Sequence, residues 1–107
     1  MTQESVWAIA PPPQPFVAVA GSNARFPVRR IFCVGRNYAE HAREMGGDPQ
    51  REPPFFFAKP ADALVASGAR IAFPPATADL HHEAELVVAL AQGGAMLSET
   101  EAEALIF

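Results

Sequence analysis

Cysteine, tyrosine and tryptophan each occur once in these 107 residues. The lone Cys33 excludes an internal disulfide and makes a reducing compartment the expected setting. Positive charge is also scarce. Eight Lys+Arg stand against twelve Asp+Glu, a net charge of −4, so no global basic field exists to neutralise phosphates and nucleic acid is a poor partner. No apolar run reaches the 18 or so residues of a membrane span. The opening MTQESVWAIAPPP has neither a basic start nor an apolar core, so a secretory leader is not expected and the predicted location is cytoplasmic. No P-loop, dinucleotide fingerprint or zinc spacing occurs.

What the chain does have is apolar content and proline. Half of it is hydrophobic, enough to predict one domain with a core that removes roughly two thirds of the extended chain's surface from water. Eleven Pro are about twice the average share, which favours turns over long helices. Seven of the eight basic residues are arginines, suited to carboxylate binding or simply a reflection of codon usage. Five of the prolines fall in residues 1–27, which read as an extended lead-in with a short strand at Phe16–Val19. Residues 28–107 form the body of the domain.

Val28–Val34 (VRRIFCV), between Pro27 and Gly35, reads as a buried strand. In NYAEHAREMGG, Asn37 and Glu40 make a capping box and Gly46 a stop, giving a two-turn helix too short to stand without packing or a ligand. Further strands are expected in REPPFFFAKP and at Arg70–Phe73. His82–Ala91 (HEAELVVALA) alternates as a strand with Glu83, Glu85, Val87 and Ala89 on one face, ended by Gly93-Gly94. Ser98 and Glu101 form a second capping box, opening a helix with Ala102, Leu105 and Ile106 as its apolar stripe and the chain end inside it. The predicted class is mostly β with short helices (α+β).

Two constellations carry possible chemistry. On a strand, Glu83 and Glu85 would project from one face about 6.6 Å apart and repel. Either both are solvated at an exposed edge, or a hard cation such as Mg²⁺, Mn²⁺ or Ca²⁺ converts the repulsion into coordination, with His81 and His82 nearby as further candidates. His41 and Glu44 would share one helix face, either as a surface pair or as an imidazole oriented by a carboxylate, the arrangement a general base needs. Lys59, the only lysine, follows three Phe and either snorkels or is held in place. Cys33, within an apolar strand, reads as a core residue rather than a nucleophile.

Taken together, FCVGRNYAEHAREMG, PPFFFAKPADAL and FPPATADLHHEAELVVAL resemble, in that order, the N-terminal half of the catalytic domain of the fumarylacetoacetate hydrolase family. Within it, PPATADLHHEAELV is similar to the fumarylpyruvate hydrolase group of gentisate degradation. The resemblance implies a rolled mixed β-sheet. It also implies Mg²⁺ or Mn²⁺ on Glu83 and Glu85, a water-activating dyad of His41 and Glu44, and Arg36 and Lys59 as binders of substrate carboxylate or oxyanion. The implied reaction is hydrolysis of a C–C bond in a 1,3-dioxo acid, the metal polarising the substrate's pyruvyl-type oxygens. An isomerase or decarboxylase of a related keto acid uses the same metal. An inactive chain that only associates is the third reading.

The departures from the family pattern are as informative. Family members run to about twice this length, and the aspartate that completes the metal site in a later block has no counterpart here; Asp79, four residues before Glu83, is not assumed to replace it. The chain therefore reads as a truncated form. Its sheet edges are expected to be covered in a homodimer or by another chain.

Overall fold

In the computed structural model, residues 4–35 and 53–107 are described. The chain divides into two compact units, Met1–Arg70 and Ile71–Phe107. Strands and short helices account for all the regular structure among the described residues, as the composition predicted.

The first unit holds two antiparallel two-stranded sheets. Strand β1 (Phe16–Ala18) pairs with β2 (Arg25–Pro27), placing Phe16 opposite Pro27 and Ala18 opposite Arg25. The reversal between them is tight. Gly21 takes φ 72° there, in the left-handed region that glycine enters without a Cβ penalty, and Ser22 Oγ accepts from the Ala24 amide at 2.9 Å. The Arg25 guanidinium lies 4.3 Å from the centre of the Phe16 ring, a diagonal cation–π contact across the two strands. The expected strand at Phe16–Val19 thus forms one residue shorter, and β2 is an addition. Pro27 is tolerated at its end because both sides of this ribbon are edges.

Strand β3 (Ile31–Gly35) pairs with β4 (Phe55–Lys59) in the register Ile31 to Lys59, Cys33 to Phe57 and Gly35 to Phe55. Both come from apolar runs bracketed by proline or glycine. A Cβ on Gly35 would lie 2.5 Å from Phe55 Cε1 and Cε2 and closer still to Cζ, so the ring packs directly over the glycine backbone. A methyl there would require the half-exposed Phe55 ring to move. On the same face the Phe55 and Phe57 rings sit 6.0 Å apart, tilted by 33°. After β4, Pro60 leads into a single 3₁₀ turn, Ala61–Ala63.

The second unit contains one α-helix, α1 (Glu99–Glu103). Its capping box forms as the sequence predicted: the Glu101 amide donates to Ser98 Oγ at 3.1 Å, and the Ser98 amide donates to Glu101 Oε1 at 3.3 Å. The helix does not continue to the chain end. It stops at Glu103, and Leu105 and Ile106 leave the expected stripe because their backbone finds other partners. The Ala91 amide donates to the Leu105 carbonyl at 2.8 Å and the Phe107 amide to the Ala89 carbonyl at 2.9 Å, around a bridge between Leu90 and Ile106.

Three further expectations are corrected. His82–Ala91 and Arg70–Phe73 are not strands, because a strand is defined by its pairing: among the described residues only 89–91 has a neighbour, the 105–107 segment that makes the single bridge at Leu90, and 82–88 and 70–73 have none. None of the described residues is buried, so the expected core is not seen among them, and Cys33 and most of β3 are only half-buried. The chain exposes 10463 Å². An extended chain of 11.5 kDa exposes about 17,000 Å², so little more than a third is removed from water instead of two thirds.

Candidate functional site

Each unit carries part of the predicted constellation. In the first, Lys59 ends β4 opposite Ile31 and is exposed, with Pro60 fixing the backbone immediately after it. Arg36, His41 and Glu44, together with the helix expected from Asn37 to Gly46, lie outside the described residues. Gly35 and Phe55, described residues on either side of that stretch, are cross-strand partners in the β3–β4 pair.

In the second unit, Glu83 and Glu85 are exposed and lie in a run without strand pairing. The pairing that would have enforced a shared face is therefore missing, although both carboxylates are open to solvent. His82 is exposed as well. His81 is engaged: its Nε2 is 2.7 Å from Asp79 Oδ1, while the Asp79 amide donates to Thr77 Oγ1 at 3.1 Å. Both side chains are largely in water, 77% and 86% exposed, so this pair is worth a fraction of a kcal/mol. It ties up His81 and gives Asp79 a role other than metal ligand. The sequence reasoning missed the pair; its signal is Thr-x-Asp-x-His, a hydroxyl turn followed by an acid two residues before an imidazole.

The donor set admits a definite test of fit. Two carboxylates two residues apart are hard oxygen donors of the kind Mg²⁺ and Mn²⁺ accept. They fill only part of an octahedral shell, and among the described residues no group of three or more His, Cys, Asp or Glu could hold a metal ion. The residues fit a divalent cation as a partial site. Among the described residues no helix is long and apolar enough to cross a membrane.

Comparison with known proteins gives these features a context. The family model "Fumarylacetoacetate (FAA) hydrolase C-terminal" matches residues 30–107. The crystal structure of fumarylpyruvate hydrolase from Pseudomonas aeruginosa, in complex with Mn²⁺ and pyruvate, superposes with a TM-score of 0.88 at 50% identity, covering 94% of this chain and 45% of that one. The mitochondrial oxaloacetate decarboxylase of Dictyostelium discoideum is 43% identical over 67 residues, 62% of this chain and 30% of the relative. The mitochondrial oxaloacetate tautomerase FAHD1 of Bos taurus is 42% identical over 74 residues, 69% of this chain and 33% of the relative. The chain thus spans about a third of the length of these two curated relatives and under half of the solved enzyme.

Proposed function

Because this chain belongs to the fumarylacetoacetate hydrolase family, we propose that residues 28–107 are the N-terminal part of a catalytic domain that hydrolyses a C–C bond in a fumarylpyruvate-like 1,3-dioxo acid. The observation that carries the reading is the 50% identity and TM-score of 0.88 to a fumarylpyruvate hydrolase holding Mn²⁺ and pyruvate, over nearly all of this chain. Pyruvate is one of the two products that hydrolysis of fumarylpyruvate yields.

Glu83 and Glu85 would hold a divalent cation, Mn²⁺ or Mg²⁺, as two of its oxygen ligands. When bound, such an ion supplies Lewis-acid polarisation of a keto oxygen. The protein's own groups then have defined tasks. His41, oriented by Glu44, takes a proton from water, and the oxygen adds to the carbonyl on the fumaryl side. The C–C bond breaks, its electron pair passes to the pyruvate enolate, and a proton returns to that carbon; water, one proton out and one in, balances the step. Arg36 and Lys59 bind substrate carboxylate.

Loss of the fumarylpyruvate enolate absorbance on adding the protein with Mn²⁺, and release of pyruvate, tests the reading. His41→Ala is expected to cut the rate by about 10² to 10⁴. The decarboxylase and tautomerase relatives support a second reading, chemistry on oxaloacetate. Turnover of oxaloacetate with fumarylpyruvate left intact would decide for it.

A further inference from the structure

We propose that the face of the β1–β2 ribbon shared by Gln14, Phe16, Arg25 and Pro27 is a binding pocket for a small carboxylic acid with a flat apolar body, the Arg25 guanidinium taking the carboxylate.

Strand pairing puts these side chains together. Phe16 stands opposite Pro27 and Ala18 opposite Arg25, so all four share one face of the ribbon, with Gln14 two residues before Phe16 in line with them. Together with Pro13, the residues Gln14, Phe16, Arg25 and Pro27 line a cavity of about 310 Å³, at the small end of the range for small-molecule sites. Its rim is fixed from the backbone. The Val28 amide donates to the Pro15 carbonyl at 2.9 Å, but Pro15 has no N–H to return to Val28. Gln14 Nε2 supplies the missing donor, 3.0 Å from the Val28 carbonyl and 2.9 Å from that of Pro15, so a side chain closes the pair that proline leaves open.

Charge and shape select the ligand. The Arg25 guanidinium lies 4.3 Å from the centre of the Phe16 ring, and the cation–π attraction holds the planar fork in place. No acidic residue occurs between Glu4 and Glu40, and among the described residues Arg25 makes no ion pair, so its counter-charge comes from outside this stretch of chain. A guanidinium takes a carboxylate through two parallel N–H bonds. One such group balances a single negative charge, whereas a phosphate dianion would stay half neutralised against the apolar walls of Pro13, Phe16 and Pro27. Those walls suit a flat hydrocarbon body. Phe16 remains 44% exposed, so the cavity is open and its ligands are held weakly. Residues 13–27 precede the 30–107 stretch that the family model matches, and the pocket uses none of the residues assigned to the proposed reaction, so the two readings stand or fall separately.

The test is an amide NMR titration of the 107-residue protein with sodium benzoate at constant ionic strength. Saturable shifts are expected at the Phe16, Arg25 and Val28 amides and the Gln14 side-chain amide, with a Kd on the order of 1–10 mM for so small a ligand. Benzamide, of the same shape without the charge, is expected to bind about tenfold more weakly. Acetate and inorganic phosphate, which carry charge without the flat body, are expected to bind about threefold more weakly or less. Arg25→Gln is expected to abolish saturation, while Arg30→Gln, which removes an exposed arginine outside the pocket, leaves it intact. An unchanged Val28 amide shift in the free variants reports that the ribbon still forms. The ligand comparisons need no variant, so they decide the matter even if Arg25→Gln loosens the ribbon. Absence of saturable shifts at the ribbon, equal binding of benzamide, acetate or phosphate, or equal loss in the two arginine variants would overturn the proposal.

Discussion

FFFAK at 55–59 and AELVV at 84–88 are runs of similar apolar content, and only the first is a strand. β4 meets β3 in a five-pair register, each residue from Phe55 to Lys59 facing one from Gly35 to Ile31. Among the described residues the second run has no backbone partner, the first bond beyond it being at the Ala89 carbonyl beside the Leu90 bridge. Apolar composition, aromatic in the first run and β-branched in the second, therefore decides which segments can be strands, while the presence of a second segment in reach decides which of them are. Three substitutions, two of them with a companion variant, sharpen or break that contrast.

Gly35→Ala has the largest expected effect on folding. The new methyl would enter the Phe55 ring, which must swing away or force the pair apart. A cost of about 1–3 kcal/mol is expected, the range for overpacking a close contact, read as a lower thermal midpoint and faster exchange at 31–35 and 55–59. Phe55→Ala in the same chain should restore much of the loss, because it removes the atoms the methyl strikes. If Gly35→Ala is neutral, the ring-over-glycine contact does not hold the hairpin, and β3–β4 loses its distinction from the unpaired run.

That contrast also explains how far the sequence was legible. Local signals were legible to within a few residues: the strand expected at Val28–Val34 forms at Ile31–Gly35, half-buried and with Gly35 as its last residue, the prolines bracket β4, and Ser98 with Glu101 cap α1. Signals that depend on a distant partner were not. HEAELVVALA alternates as a strand should, yet alternation records which faces are to be covered and not whether the cover is present. The same reason accounts for the lack of burial among the described residues. At the end of α1, helix propensity lost to the backbone bonds between 105–107 and 89–91, which composition cannot foresee. For the candidate site, residue types and spacing selected Glu83 and Glu85, but the Asp79–His81 pair arises from a turn made by Thr77 that the search for metal ligands passed over.

Ser98→Ala should cost about 1 kcal/mol, the usual value for losing an N-cap oxygen, and unlike Gly35→Ala its effect should stay within 89–107. The Glu101 amide loses its acceptor, α1 frays from its first turn, and the bridge at Leu90 and Ile106 loosens with it. Exchange at Ala91 and Phe107, whose amides donate across that bridge, is the measurement. Faster exchange there with 31–35 and 55–59 unchanged confirms that the two units hold their structure by separate local means. Equal loss in both would show that the hairpin depends on the second unit.

Asp79→Asn is expected to have the smallest effect, about 0.2–1 kcal/mol, since the pair it weakens is exposed and screened by salt. Its value lies in location. The pair stands just before the unpaired run that carries Glu83 and Glu85, where no backbone bond positions the chain. If the side-chain contacts of Thr77, Asp79 and His81 are what order the approach to the carboxylates, Asp79→Asn should weaken Mn²⁺ binding about as much as it weakens the pair, two- to fivefold by titration calorimetry. Thr77→Ala, which removes the turn oxygen without touching charge, should do the same. If Asp79→Asn weakens binding and Thr77→Ala does not, the carboxylate acts through its charge alone. The run before Glu83 then has no local device for order among the described residues, and the exposed turn at Thr77 is no more than a bend in the chain.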